Sequence, residues 1–436
     1  MTSRIQEYPG PSIWFHTFGC KANQYDTERI RQELQSRGAR TVSAAAGADV
    51  AVINTCTVTN QADADARRLI RRLRREKPGL TILVAGCSAA VREDDYREMS
   101  EVDDVVGGQD PAHVAEALGR LVPFQAPGSD SGGLLRRNVR GTRGWLKIQD
   151  GCDRKCSFCA TRIARGVSRS RPVEEIVAEA RLLAGRHPEL VLTGIHIGHY
   201  GRDLEPAPTL ARLCATLLDS VDVRFRLGSI EATEIDDEML ELLHGSDGRL
   251  APHLHVPMQS GSDEILRAMR RWHTRDAYRR RMEQIAERLP ILGLGADVIV
   301  GFPGENEVEF GQTREMVEAL PFTYLHVFPY SVRDSTVAAS LPDKVPGDVA
   351  ARRSRDLREL VQAKGERYRV SRAGTVADVV VEGDPTRVVG LTGDYLRVEV
   401  NGEAARPGDR FRAVLELDGE RLVVSPPPGN RSLRAS

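Results

Sequence analysis

The chain has 436 residues, seven of them cysteines, and a formal net charge of -1 that conceals strongly basic stretches. Its length allows two or three domains with sizeable cores. It shows neither a run of about 20 apolar residues nor a basic start followed by an apolar segment, so we expect no membrane span, no secretory leader and a cytoplasmic location.

Short apolar runs alternate with helical patterns over residues 1–122, which we predict to be a separate domain. Strands are predicted at 13–18, 49–54 and 81–85, with helices at 25–37 and 62–76. This alternation favours a small parallel α/β sheet. Positions 67 to 77 carry seven basic residues and one acidic residue. Arg67, Arg68 and Arg71 recur at helical spacing and are candidate phosphate contacts, although a merely solvated helix face is the alternative.

Three cysteines of this segment stand directly after the predicted strands. They are Cys20, Cys56 and Cys87. If the strands are parallel, all three thiols meet at the carboxyl edge of the sheet, where ligands of open α/β folds bind. We therefore expect them to be metal ligands, and the alternative is three unrelated buried cysteines. Cys214 lies in an apolar helical pattern and is predicted to be a core residue.

A segment rich in Pro, Gly and Ser, residues 123–140, is predicted to be a linker. Six apolar strands with helical patterns between them follow within 141–368, at 145–148, 190–197, 223–230, 253–258, 296–300 and 324–328. This repetition predicts a partial (β/α)6 barrel. Right-handed crossovers would place the carboxyl ends of all six strands, and hence the functional site, on one face.

A C-x3-C-x2-C motif formed by Cys152, Cys156 and Cys159 follows the first of these strands. A four-iron cluster normally takes four thiolates, so three leave one iron open for another ligand. A structural zinc site is the alternative, but zinc normally needs four protein ligands and this loop offers three. The stretch from 136 to 171 contains eleven Lys or Arg and two Asp, so Arg165 and Arg169 are further candidate phosphate contacts.

Small residues end two of the later barrel strands. Thr193 and Gly194 close the second strand, and Gly301 follows the fifth. Glycine lets a backbone approach a bound ligand closely, but a plain turn is an equally good interpretation. After a charged helical pattern at 348–369, residues 369–436 have the short alternating runs of a small β-barrel. Such barrels often bind nucleic acid, and a structural appendage is the alternative.

These motifs together resemble the radical S-adenosylmethionine methylthiotransferases over essentially the whole chain. The matching strings are Gly-Cys-Lys-Ala-Asn-Gln-Tyr from position 19, Asn-Thr-Cys-Thr-Val-Thr from 54, His-Val-Pro-Met-Gln-Ser-Gly-Ser from 255 and Phe-Pro-Tyr-Ser from 328. The resemblance implies two 4Fe-4S clusters, a radical barrel and a terminal barrel of the kind called TRAM. Cys20, Cys56 and Cys87 would hold an auxiliary cluster, and the second triplet would hold the radical cluster.

The resemblance also implies what these groups do. One S-adenosylmethionine methylates a sulfur species at the auxiliary cluster, and a second yields a 5'-deoxyadenosyl radical that removes hydrogen from an unactivated carbon. An electron donor protein and a sulfur source are needed. The residues expected to contact the cosubstrate are Phe158, Thr193, Gly194, Ser229, Gln259 and Gly301.

The strings around the first two cysteines look most like the branch that acts on N6-threonylcarbamoyladenosine at position 37 of tRNA, with C2 as the target carbon. The basic stretches would then contact the anticodon loop. The alternatives are methylthiolation of isopentenyladenosine-37 in tRNA or of an aspartate of ribosomal protein S12, and a noncatalytic iron-sulfur protein that binds RNA. The chain departs from the family at Arg162, near the position where a proline usually precedes Arg165-Gly166, which leaves the shape of this loop open.

Overall fold

The structure is a computed structural model that describes residues 10–57, 60–123, 133–139, 141–333, 335–384, 387–402 and 405–427. The chain divides into two compact units: residues 1–135 together with 160–167, and residues 136–159 together with 168–436. Most of the predicted linker lies outside the described residues. The four predicted ranges, 1–122, 123–140, 141–368 and 369–436, therefore stay a prediction.

The first unit is built on a fully parallel five-stranded sheet with the order β2-β1-β3-β4-β5. Its strands are Ser12–Thr17 (β1), Arg40–Thr41 (β2), Val50–Thr55 (β3), Thr81–Gly86 (β4) and Asp104–Val105 (β5). Its helices are Lys21–Ser36 (α1), Asn60–Glu76 (α2), Cys87–Val91 (α3), Glu93–Arg97 (α4), Pro111–Leu121 (α5) and Thr161–Arg165 (α6). The predicted parallel α/β sheet is confirmed.

Alternation along β1 divides its side chains between the two faces of this sheet. Ile13 and Phe15 belong to the core formed with α1 and α5. Trp14 and Phe18 pack at the edge of the core on the opposite face, which α2 and α4 cover. All six residues of β3 are buried, as expected for a central parallel strand covered on both sides.

The second unit begins with eight strands. These are Gly144–Lys147 (β6), Gln149–Asp150 (β7), Arg169–Ser170 (β8), Glu189–Thr193 (β9), Arg224–Leu227 (β10), His253–His255 (β11), Gly293–Val300 (β12) and Tyr324–Pro329 (β13). Strands β7 and β8 form a separate antiparallel pair, and the other six belong to the predicted barrel. The helices are Val173–Ala184 (α7), Leu210–Ser220 (α8), Asp237–Gly245 (α9), Asp263–Ala268 (α10), Arg275–Arg288 (α11), Glu307–Ala319 (α12) and Gly347–Ser371 (α13).

Strands β6, β9 and β10 form one parallel sheet, and β11, β12 and β13 form another. Parallel bridges from Phe225 to Leu250 and from Ser229 to His255 connect the two sheets. The six strands therefore run in the same direction in one curved layer, and their carboxyl ends share one face. This arrangement confirms the α/β fold class with a partial six-stranded barrel. Cys214 is buried in α8, as predicted for a core residue.

The C-terminal part is a curled six-stranded sheet with its own hydrophobic core. Its strands are Val376–Asp384 (β14), Arg387–Thr392 (β15), Arg397–Val400 (β16), Arg410–Val414 (β17), Glu416–Asp418 (β18) and Arg421–Val424 (β19), in the order β17-β14-β15-β16-β19-β18. Val379, Phe411 and Leu422 lie in its core. The likeness to TRAM stays a prediction. None of the helices in the described ranges is long and apolar enough to cross a membrane.

Candidate metal centres

The three cysteines of the first unit lie at the carboxyl edge of its sheet. Cys20 precedes α1, Cys56 follows β3 directly, and Cys87 is the first residue of α3 at the end of β4. Because β1, β3 and β4 are adjacent and parallel, their registered ends bring the three cysteine-bearing turns together. The charge of Cys20 contributes to the raised pKa of Cys87, which reflects this proximity.

Polar side chains connect the three turns. The Asn23 Nδ2 donates to the carbonyls of Phe18 and Thr55, both at 2.8 Å. The Asn54 Nδ2 donates at 3.0 Å to the carbonyl of Asn23, which joins the end of β3 to α1. Gly86 has φ +99°, and a Cβ there would lie 2.1 Å from the Asn54 Oδ1, so this turn requires glycine. The sequence contained these asparagines within the matching strings, but without a known fold they could be assigned no role.

Arg165 occupies a different place from the one expected for a phosphate contact. It is 4% exposed, and its Nη2 lies 2.8 Å from both the Asn23 Oδ1 and the Asp26 Oδ2. Its Nε donates to the Cys87 Sγ at 3.1 Å. The expectation that Arg165 contacts RNA is therefore wrong, because its guanidinium is buried inside the first unit and forms its hydrogen bonds there. Burial raises the pKa of the Cys87 thiol to about 12, and the positive charge of Arg165 opposes that rise.

The second triplet lies on the loop that follows β7. Burial raises the pKa of Cys152 to about 11, and the charges of Cys159 and Cys156 add to the rise. The same causes, burial and the Cys159 charge, raise the pKa of Cys156, although Arg271 opposes them. The Cys159 amide donates to the Cys156 carbonyl at 3.3 Å, which tightens the loop. The three thiols are thus near enough for the charge of one to raise the pKa of another.

Two buried pairs of side chains adjoin this triplet. The Arg271 Nη1 lies 3.7 Å from the Cys156 Sγ, and its Nη2 contacts Glu231 at 2.5 Å. The His196 Nδ1 lies 3.6 Å from the Cys152 Sγ, while its Nε2 is 2.8 Å from Glu234. Nitrogen donors beside cluster sulfurs tune iron-sulfur centres. The sequence argument missed both partners, since they follow different barrel strands.

The residues expected to contact the cosubstrate are at or near the carboxyl ends of the barrel strands. Thr193 ends β9, and a Cβ on Gly194 would lie 2.8 Å from the Gln149 carbonyl. The Gln149 Oε1 accepts bonds from the next two backbone amides, of Ile195 and His196, at 3.1 and 2.8 Å. Gln149 therefore shapes the turn in which Gly194 lies, and the sequence analysis did not select it.

Ser229, Gln259 and Gly301 follow β10, β11 and β12. Gly301 has φ +72°, and a Cβ there would meet the Ala350 Cβ at 2.6 Å, so close packing of α13 alone explains this glycine. Phe158, between the last two cysteines of the triplet, packs against a core cluster that contains Phe302. The cosubstrate roles of these residues stay a prediction.

The basic face of α2 borders a cleft of about 620 Å³. The basic and aromatic side chains that line it are His16, Phe18, Arg68, Arg71, Arg72 and Arg75. The rings of His16 and Phe18 are 4.5 Å apart, and Trp14 lies 5.5 Å beyond His16. Arg67 is not among the residues that line the cleft, and it pairs with Asp63 and Asp95, each at 3.0 Å. Arg169, the remaining candidate, is exposed on β8.

Comparison with known proteins agrees with this geometry. Residues 12–108 match the description "Uncharacterized protein family UPF0004", and residues 146–317 match the "Radical SAM superfamily". The threonylcarbamoyladenosine tRNA methylthiotransferase MtaB of Bacillus subtilis is 37% identical over 90% of each chain. The MtaB of Aquifex aeolicus is 35% identical over 89% of this chain and 97% of its own length.

The chain belongs to the radical SAM methylthiotransferases. Another relative, the tRNA-2-methylthio-N(6)-dimethylallyladenosine synthase of Cereibacter sphaeroides, is 35% identical over 94% of this chain and 98% of its own. The radical S-adenosylmethionine enzyme OxsB shares the fold with a TM-score of 0.51 and 12% identity, over 81% of this chain and 56% of its own. Membership implies an enzyme of the transferase type that uses S-adenosylmethionine and iron-sulfur chemistry.

The residues present fit an iron-sulfur centre. The Cys152 loop offers three partly exposed cysteine thiols on one short segment, and Arg271 and His196 direct nitrogen atoms towards two of them. A structural zinc site would use four protein ligands. The His196 Nδ1 faces the Cys152 sulfur while its Nε2 is held by Glu234, an arrangement that also suits a metal-ligating histidine, so the assignment to an iron-sulfur centre rests on the family and not on this contact.

Proposed function

We propose that this chain is a tRNA methylthiotransferase that adds a methylthio group to C2 of N6-threonylcarbamoyladenosine at position 37. The observation that carries the proposal is the 37% identity to a relative named for this nucleoside over 90% of both chains. Two further relatives of that name, at 35% and 37% identity, support it. With tRNA as its substrate the enzyme works in the cytoplasm, and it requires an electron donor protein and a sulfur source.

The two cysteine triplets support a requirement for two 4Fe-4S clusters. Cys20, Cys56 and Cys87 would hold the auxiliary cluster, and the Cys152 loop would hold the radical cluster. When bound, the clusters and S-adenosylmethionine supply the methyl group, the sulfur and a radical able to remove hydrogen from an unactivated carbon. The protein's own task is to hold three thiolates at each site and to leave one iron of each cluster open.

Each triplet has protein groups that would orient its sulfurs. In the first unit, Asn23 joins two of the cysteine turns and Arg165 donates to the Cys87 sulfur. In the second unit, Arg271 is held by Glu231 and adjoins the Cys156 sulfur. These groups position the Cys87 and Cys156 sulfurs.

The arginine-lined cleft beside α2 supports binding of the anticodon loop. Unpaired bases of RNA loops stack on aromatic rings, and arginines take the adjacent phosphates. His16 and Phe18 supply rings, and Arg71 and Arg75 supply positive charge along the same cleft, whereas Arg68 is paired with Asp65. Arg169 remains a further candidate contact.

The decisive experiment compares tRNA nucleosides from a wild-type strain and a deletion strain by mass spectrometry. We expect 2-methylthio-threonylcarbamoyladenosine to disappear and its unmethylthiolated precursor to accumulate. Undiminished product would refute the proposal. Loss of a mass shift on ribosomal protein S12, with tRNA nucleosides unchanged, would instead indicate the aspartate substrate.

Iron analysis of anaerobically reconstituted protein tests the two clusters. We expect about eight irons per chain in the wild type and about four after Cys20, Cys56 and Cys87 are all replaced by alanine. Cys214→Ala is the matched control, because that thiol is buried in α8 and should leave the iron content unchanged. Protein that carries clusters but never converts S-adenosylmethionine to 5'-deoxyadenosine under reducing conditions would favour a noncatalytic RNA-binding role.

A further inference from the structure

The three strands β11, β12 and β13 have two chemically different faces. Leu254, Ala296 and Val298 have no exposed surface and belong to the apolar side of the strands. The alternate positions carry titratable and hydrogen-bonding side chains instead: His253, His255, Asp297, Tyr324 and His326. A polar strand face within a barrel is costly unless its groups are paired or used, so this face requires an explanation.

These side chains form a continuous chain of contacts. The Tyr324 hydroxyl lies 2.8 Å from the His253 Nε2 and 3.1 Å from the His255 Nδ1. The other nitrogen of His255, Nε2, is 3.1 Å from the Asp297 Oδ1. The contacts depend on Gly295, because a Cβ there would lie 2.0 Å from the Tyr324 ring. The Tyr324 hydroxyl and the His255 ring thereby hold the side chains at the two ends of this row, His253 and Asp297.

This row of side chains has a closed end, covered by the C-terminal sheet, and an open end, exposed to solvent. At the closed end the Tyr395 ring of the C-terminal sheet stacks on His253, with 4.3 Å between the ring centroids. At the open end the Asp297 side chain is 27% exposed and His326 is exposed. Ligand atoms of His255, Asp297 and His326 all lie within 4.8 Å of one another. Three polar groups therefore converge where a ligand can reach them.

The open end lies at the same height along the barrel strands as Ser229 and Gln259, two residues expected to contact the cosubstrate. His255 forms a parallel bridge with Ser229, and the Gln259 amide donates to the Asp297 carbonyl at 2.8 Å. A carbon that loses hydrogen to a radical formed from the cosubstrate must lie close to it. Groups at this level of the barrel are therefore well placed to contact the substrate.

We propose that Asp297 and His326 bind the polar N6 substituent of the target nucleoside and so select against apolar substituents, while His255 holds the Asp297 carboxylate in place. This inference rests on the function proposed above. A threonylcarbamoyl group offers N–H and O–H donors to the Asp297 carboxylate and a carboxylate to an imidazole N–H of His326. A dimethylallyl group offers neither, so on binding it would bury these polar groups without replacing their hydrogen bonds to water.

The expected discrimination is large. A site that hydrogen-bonds a substrate rejects analogues lacking the matching group by about 10⁴- to 10⁵-fold in favourable cases, whereas an apolar pocket discriminates far less. Relatives of both kinds, named for threonylcarbamoyladenosine and for dimethylallyladenosine, resemble this chain at 35–37% identity, so overall similarity alone separates the two substrates weakly. A local polar site supplies a physical reason for the choice.

The test uses the full-length reconstituted enzyme and two anticodon stem-loops that differ only in the N6 substituent of position 37. The variants are His326→Leu, which removes the hydrogen bonds, and His326→Gln, which keeps an amide donor. His244→Leu, at an exposed position on α9, is the matched control. The measurements are kcat and KM for each RNA, iron content, and 5'-deoxyadenosine formed without RNA.

We expect His326→Leu to lower kcat/KM for the threonylcarbamoyl RNA about 10- to 100-fold, mainly through KM, and His326→Gln to recover part of the loss. Activity on the dimethylallyl RNA, iron content and RNA-free cleavage should stay at the control level. An unchanged preference in His326→Leu would overturn this inference alone. A metal other than iron that is retained by the wild type and lost in His326→Leu would also overturn it, in favour of a cation site. A wild-type enzyme that modifies only the dimethylallyl RNA would overturn the proposed function as well.

Discussion

Arg165 shows how a single side chain can differ from its sequence-based interpretation. In the sequence it is one of eleven basic residues between positions 136 and 171, and such a stretch suggests a surface that faces phosphate. In the fold its side chain is fully buried, pairs with Asp26 and donates to the Cys87 sulfur. A buried cation requires a fixed counter-charge, so its position is determined by Asp26 rather than by RNA.

Replacing Arg165 with leucine should damage the auxiliary site. The change removes the buried positive charge that pairs with Asp26 and the donor to Cys87, so we expect a loss of about 3–5 kcal/mol in the free energy of unfolding. Reconstituted protein should hold about four irons instead of about eight. Arg169→Leu, at an exposed position, is the control. Iron and sulfide analysis together with thermal unfolding measure the effect, and unchanged values for Arg165→Leu would contradict it.

The residue types that bind metal could be recognised from spacing, but the groups around them could not. The motif at Cys152, Cys156 and Cys159 places three thiols on one loop whatever the rest of the chain does. His196, Glu231 and Arg271 reach this loop from other strands and helices. Their positions follow from strand order and register, which a local pattern does not contain.

At the scale of single elements, the arginines of α2 fall into two groups: some are held by carboxylates and carbonyls, and others line the cleft. The helical period predicts one basic face, yet Arg67 bonds to Asp63 and Asp95, and Arg74 donates to the Glu101 carbonyl and to Asp103. Arg71 and Arg75 line the open cleft instead, and Arg72 lines it while pairing with Glu76 at 3.8 Å. Carboxylates of α2 itself and of neighbouring segments, together with backbone carbonyls, decide which arginines stay available to an anion.

The double variant Arg71→Glu/Arg75→Glu should therefore weaken tRNA binding. Each phosphate contact that is lost lowers the slope of log affinity against log salt by about 0.7–0.9. We expect a shallower slope and lower affinity in equilibrium binding at several salt concentrations, with iron content unchanged. Arg280→Glu, at an exposed position on α11, should bind like the wild type. A wild-type slope in the double variant would remove this cleft from the RNA interface.

Two glycines should respond in opposite ways to the same substitution. Gly295→Ala on β12 would force the Tyr324 ring away from His253 and His255 and should cost about 1–3 kcal/mol. Gly311→Ala on α12 meets nothing within 4 Å and should stabilise by about 0.5–1 kcal/mol, because glycine is a poor helix former. Urea unfolding of both variants measures these changes, and equal effects would contradict the steric argument.

At the scale of the second unit, a buried ionic network joins the barrel to the C-terminal sheet. Glu189 on β9 bonds to Arg224 at 2.5 Å and to Arg226 at 2.8 Å. The same arginines donate to the carbonyls of Asp378 and Gly393, at 2.7 and 2.8 Å. Burial alone would raise the pKa of the Glu189 carboxyl, but the Arg224 and Arg226 guanidiniums hold it well below its usual range.

Replacing Glu189 with glutamine should destabilise this unit by about 3–5 kcal/mol at neutral pH, because buried Arg226 then loses its carboxylate partner and Arg224 keeps only Asp378, at 3.4 Å. Since the folded-state pKa is depressed, the carboxylate's contribution is complete above its unfolded-state pKa of about 4.5 and is lost as pH falls towards the folded-state value. Unfolding free energy should thus decline less steeply with acid in Glu189→Gln than in the wild type.

Urea unfolding of cluster-free protein at pH 7 and pH 4 measures both effects of Glu189→Gln. Glu359→Gln, at an exposed position on α13, should stay within about 0.5 kcal/mol of the wild type. If Glu189→Gln and the wild type lost stability in parallel between the two pH values, the network would not depend on this carboxylate.

The sequence by itself determined the alternation of strands and helices, the three strand-end cysteines, the cysteine triplet on one loop and the family, because each depends on periods and spacings a few residues long. It also placed the ends of β1, β3 and β4 on one sheet edge, since parallel strands leave few alternatives. Only the tertiary structure decided that Arg165 turns inward, that Gly301 accommodates Ala350, and that His255, Asp297 and His326 meet. Those outcomes depend on contacts between residues distant in sequence, which are set by register and by the packing of whole elements.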